Sequence, residues 1–79
     1  MKTYYLIALS FGDNKREYWC YNSENDVSTK LEENAEWFSS KEKAEKEIKN
    51  KVMPYAENHG WIPYTTIWIY ELELPNENE

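Results

Sequence analysis

His59 is the only histidine of the chain, and it stands directly before Gly60 at the end of an amphipathic segment. An imidazole that titrates near neutrality could act as a general base. No serine, cysteine or carboxylate is spaced to pair with it, and beside a helix end its charged form simply meets the C-terminal dipole. Glu32 and Glu33 are adjacent, so on a strand or loop their carboxylates point apart. Glu71 and Glu73 do share one side of an alternating segment, yet nothing supplies the further oxygen ligands a hard cation needs. Cys20 is the single cysteine, which excludes an internal disulfide and a two-cysteine metal clamp. It alternates with Tyr18, reads as a small packed apolar residue, and suits a reducing cytoplasm. The expectation is a non-enzymatic protein without catalytic residue, metal or cofactor.

The remaining chemistry is aromatic. Four Trp, seven Tyr and two Phe occur in 79 residues, and each ring can bury roughly 150–250 Å². Most must build the core, because a chain this short buries only about 60% of its unfolded surface. The segments that carry them are apolar on both sides. In Thr65 to Leu72, Ile67 and Ile69 point one way while Trp68, Tyr70 and Leu72 point the other. Residues 4–11 repeat the pattern, with Tyr5, Ile7, Leu9 and Phe11 opposite Tyr4, Leu6 and Ala8. An antiparallel sheet with one wet face would alternate apolar and polar instead.

The elements that must position these side chains follow from the same pass. Residues 4–11 and Arg16–Tyr21 predict a hairpin across the turn formers Gly12 to Lys15. Val27 to Leu31 is either a short edge strand or irregular chain. Ser39 with Glu42 predicts a capped helix start, and Ala44, Ile48, Val52 and Tyr55 form one apolar stripe. Pro54 predicts a kink near Met53, or a break with a restart at the proline. Gly60 predicts the stop, and a last strand follows from Tyr64 to Leu74. The fold class expected is α+β: a three- or four-stranded, mainly antiparallel sheet with one helix on one face, in the order β-β-(β)-α-β. Residues 1–75 form a single domain and 76–79 a disordered tail.

The stretch from Ala35 to Ile48 (AEWFSSKEKAEKEI) resembles the aromatic-anchored, serine-capped helix start of small uncharacterised proteins from phages and mobile elements of Gram-positive bacteria. Those proteins share the layout of two N-terminal strands and one C-terminal strand. The resemblance implies a phage-type accessory protein and carries no functional residues to transfer.

One helix cannot cover both sides of such a sheet. If Ile67, Ile69 and the Ile7 side of the first strand meet the helix, then Trp19, Tyr21, Trp68, Tyr70 and Tyr4 share the other face. The alternative is that residues 22–38 fold back over that face. An open aromatic face of this kind predicts a protein-binding module, with Trp19, Tyr21, Trp68 and Tyr70 as partner-binding residues. The formal charge of −6 disfavours duplex DNA and anionic membranes and would steer the face to a basic surface. A host-defence inhibitor is the class implied. The alternatives are a self-associating, homodimeric domain and, opposed by the charge, a binder of single-stranded nucleic acid. The apolar run Tyr4 to Leu9 is too short to span a bilayer and gives way to charged turn residues, unlike a signal peptide; the expected location is the cytoplasm.

Overall fold

The computed structural model describes residues 1–12, 15–62 and 64–75. Four strands, β1 (Lys2–Ser10), β2 (Arg16–Ser23), β3 (Asp26–Thr29) and β4 (Thr66–Leu74), form one antiparallel sheet in the order β3-β2-β1-β4. The expected α+β architecture is therefore present. The segment after β2 contributes a short edge strand, and β1 is interior, flanked by its hairpin partner and the last strand. The hairpin's turn residues 13 and 14 and the tail at 76–79 lie outside the described residues.

β1 and β4 are in register over their whole length, from Lys2 opposite Leu74 to Ser10 opposite Thr66. β2 pairs with β1 only at Ala8–Tyr18, Leu9–Glu17 and Ser10–Arg16. Beyond Tyr18 the two strands part, and the chain from residue 36 to 38 fills the gap. Glu36 N–H donates to the Trp19 carbonyl at 3.0 Å, and Tyr5 and Phe38 exchange backbone bonds of 2.9 and 2.8 Å. This wedge satisfies backbone groups that the divergence would otherwise strand in the interior. A 3₁₀ turn, Glu32–Asn34, leads into it.

The helical run has three parts: α1 (Lys41–Glu47), a π turn (Ile48–Val52) and α2 (Met53–Asn58). The cap is Ser40, whose hydroxyl accepts from Lys43 N–H at 3.2 Å; Ser39 instead accepts from the Lys43 ammonium. The helix starts one residue later than its sequence predicts. Pro54 neither breaks the run nor displaces Met53, which keeps helical angles (φ −65°, ψ −46°). Proline removes one donor and crowds the carbonyl four residues before it. The preceding π turn, with Met53 N–H bonded to Ile48 O, shifts the ladder to absorb that loss. At the other end Gly60 has φ +69°, and Trp61 N–H reaches back to Ala56 O at 2.9 Å. That is the closing bond of a Schellman stop, completed by the Trp61 ring set edge-on against Tyr55 at 5.1 Å.

The main core lies between sheet and helix: Ile7, Leu9, Trp19, Val27, Ala44 and Val52 are buried there, with Ile48, Tyr55, Ile67 and Ile69 packed around them. The predicted helical stripe thus faces the sheet. A second, smaller cluster of Leu6, Ala8 and Tyr18 sits on the opposite face, joined by Ala35, Trp68, Tyr70 and Leu72.

Candidate interaction surface

The second face is built on a register that places small residues between large ones. Ala8 of β1 lies between Tyr18 of β2 and Trp68 of β4. Its missing bulk lets the neighbouring rings lean together, and Tyr18 and Tyr70 approach to 5.9 Å between centroids. Along β4 the same parity continues through Leu72 and Leu74, opposite Tyr4 and Lys2. Trp68, Tyr70, Leu72 and Leu74 are all half-buried, so a stripe of four large apolar side chains runs the length of an edge strand.

Arg16 enters this face from β2. Its guanidinium lies 5.6 Å from the Trp68 ring centre and 5.1 Å from that of Tyr70. Such contacts contribute about 0.5–1 kcal/mol each at exposed sites. Tyr18 is the buried member of the group. Its hydroxyl donates to Glu32 Oε1 at 3.2 Å; burial, opposed by Arg16 and reinforced by that carboxylate, pushes the phenol pKa up.

Toward the other end the stripe meets the 3₁₀ turn. Leu72 and Leu74, with Leu31 and Trp37, line an open groove of about 380 Å³ rimmed by Lys30, Glu32 and Glu33. Trp37 is fixed by its Nε1 bond to Glu32 O at 2.8 Å and by the Tyr4 ring at 5.2 Å. Even so it is 38% exposed, and Leu31 is 52% exposed. Ala35 and the Tyr18–Glu32 bond thus bring this segment onto the Leu6, Ala8 and Tyr18 cluster, while apolar walls stay open beside Leu72 and Leu74.

The structure divides the residues that the sequence groups together. Trp19 is wholly buried under the helix. Tyr21 stands on that same side, 5.5 Å from the Trp19 ring and 5.8 Å from the Lys51 ammonium. Only Trp68 and Tyr70 occupy the open face, together with Tyr4. The expectation that all four share one face is corrected by the register: Ala8 opposite Tyr18 places Tyr18, not Trp19, on the side of Trp68. Of residues 22–38, Asp26–Thr29 extend the sheet as its edge strand, and only the chain around the 3₁₀ turn and Ala35 folds back onto part of the face. Arg16, Tyr18, Leu31, Trp37 and Leu74 were not singled out by sequence; Leu74 has the parity of Trp68, whereas Leu31 and Trp37 carry no periodic signal.

His59 stacks on Tyr55 at 3.8 Å, and its Nδ1 lies 2.9 Å from the Tyr55 carbonyl, a helix-end arrangement. Among the described residues no group of three or more His, Cys, Asp or Glu is placed to hold a metal ion. No helix among them is long and apolar enough to cross a membrane. No family model matches the chain, and no curated protein or solved structure is significantly similar to it.

Proposed function

We propose that the protein is a non-enzymatic binding module that docks a basic protein partner on the open sheet face. The observation that carries this reading is the stripe Trp68–Tyr70–Leu72–Leu74 continuing into the groove walled by Leu31 and Trp37. Trp and Tyr have few rotatable bonds, so they lose little freedom on binding, and they are the residue types that anchor interfaces. Glu32 and Glu33 at the rim, within a chain of charge −6, favour a partner whose apolar ridge is flanked by Lys or Arg. A phage-type accessory protein acting on a host-defence factor fits this chemistry and the resemblance of residues 35–48.

The test is capture of an identified partner by tagged wild-type chain, compared with Leu31→Glu and Tyr70→Ala. Leu31 projects into solvent, so its replacement leaves the fold intact while placing a charge in the groove. Loss of the partner in both variants, with unchanged melting of Leu31→Glu, is expected. Equal capture by all three chains would remove this face from consideration.

A further inference from the structure

β4 is an edge strand of nine residues, Thr66–Leu74, and the direction of its backbone groups can be derived. Tyr5 spends its N–H and C=O on Phe38, on the side away from β4. Its β4 partner Glu71 is therefore in a non-hydrogen-bonded position of the β1–β4 ladder. The N–H and C=O of Glu71 then point outward, and by alternation so do those of Ile67, Ile69 and Glu73. Among the described residues, none of the bridging backbone bonds reaches this edge. The strand contains no proline, no lysine and no bulge, and runs Ile67-Trp68-Ile69-Tyr70 without interruption; its only edge charges are Glu71 and Glu73, confined to the C-terminal half.

We infer that this edge pairs with the same edge of a second copy, antiparallel about a two-fold axis at Tyr70. One register uses all nine residues. It sets Ile69 against Glu71 and Ile67 against Glu73 of the second copy as hydrogen-bonded pairs, four pairs exchanging about eight bonds in all. On the open face it sets Tyr70 against Tyr70 and Trp68 against Leu72, an aromatic and an aromatic–aliphatic pairing of the kind that stabilises sheets. Charge and strand length together select this register. A two-residue slip one way places Glu71 directly against Glu71, which is destabilising; a slip the other way leaves Glu73 and Leu74 without strand partners. The product is an eight-stranded sheet with both helices on one side and both aromatic stripes side by side on the other. Its contact is about 30 Å long and isologous, as two-fold dimers require. It does not depend on the partner proposed above, because the pairing is made by the outward backbone groups of residues 67, 69, 71 and 73, although it sets side chains of the same stripe side by side.

Sedimentation at roughly 10–100 μM, where a small interface associates, is expected to show twice the 9.6 kDa chain mass. Glu71→Pro removes an outward donor that β1 does not use and should give a monomer with unchanged helical signal, since proline is tolerated at a free edge. Tyr70→Cys should cross-link on oxidation, because facing Cα atoms about 4.5 Å apart suit a disulfide; Trp68→Cys should not. Hydrogen exchange on the unmodified chain gives a readout independent of any variant: amides 67, 69, 71 and 73 should slow as concentration rises. A monomeric wild type, a dimer indifferent to Glu71→Pro, or exchange at those amides independent of concentration would each overturn the inference.

Discussion

The indole Nε1 of Trp19 donates to Oε2 of Glu47 at 3.0 Å, joining the centre of the sheet to the helix from within the core. Trp19 is completely buried, and the Glu47 carboxylate is the partner its N–H has in the structure. Glu47→Ala is expected to cost about 1–3 kcal/mol, the penalty for a buried donor left unpaired. Trp19→Ala removes the largest core side chain and should cost about 3–5 kcal/mol. The double variant should lose less than the sum, because the two residues share one interaction. Urea denaturation of the three chains measures this; strict additivity would show that the bond is energetically idle.

Glu36 approaches the same carboxylate from the wedge. Burial first, and then the negative Glu47 with its hydrogen bond, raise the Glu36 pKa, while Lys51 opposes them. A carboxyl whose folded pKa is raised binds more protons folded than unfolded between the two values. Its contribution to stability is therefore present in acid and lost as pH rises from the ordinary carboxylate value through the folded one. Glu36→Gln should melt higher than wild type near neutrality and show a flatter stability profile between mildly acidic and neutral pH. A wild-type-like slope in the variant would mean that Glu36 does not titrate anomalously.

The layout of strands and helix was legible because its signals are local. Alternation in residues 4–11 and 65–72 and the spacing of Ala44, Ile48, Val52 and Tyr55 survive whatever the rest of the chain does. The face taken by Trp19 was not. REYWCY is apolar on both sides, so inverting the strand leaves its pattern nearly unchanged, and only the pairing of Tyr18 with Ala8 decides it. Residues 32–38 are likewise silent in sequence, since their place is set by a gap between β1 and β2 that exists only after those strands diverge. Pro54 signals a ladder defect, but a π turn that keeps both Val52 and Ala56 buried on either side of it has no local sequence signature.

The start of the helix separates two neighbouring serines. Ser40 satisfies the Lys43 amide, whereas Ser39 meets only the exposed Lys43 side chain. Ser40→Ala should therefore cost about 1 kcal/mol, as loss of a helix N-cap does, and Ser39→Ala should fall within about 0.5 kcal/mol of wild type. Thermal melts of the two single variants decide it. The reverse order would place the cap at Ser39, as the capping-box spacing to Glu42 suggests from sequence alone.

Cys20 gives a probe of how the β2–β3 ribbon opens. The residue is 7% exposed, and its thiol lies 3.9 Å from the Asp26 carbonyl and is pushed to a higher pKa chiefly by burial. Thiolate is the reactive form, so the folded chain should alkylate far more slowly than the same chain in urea. The next residue, Tyr21, holds φ +41° where pairing with β3 shifts between Trp19 and Ser23. A positive φ is costly for a bulky side chain, which makes this ribbon the expected site of local opening. Labelling of Cys20 should accordingly outpace global unfolding while remaining slower than that of a free thiol. Labelling at the free-thiol rate in native buffer would show that the hairpin is already open, and labelling only at the global rate would show that the bulge stores no usable strain.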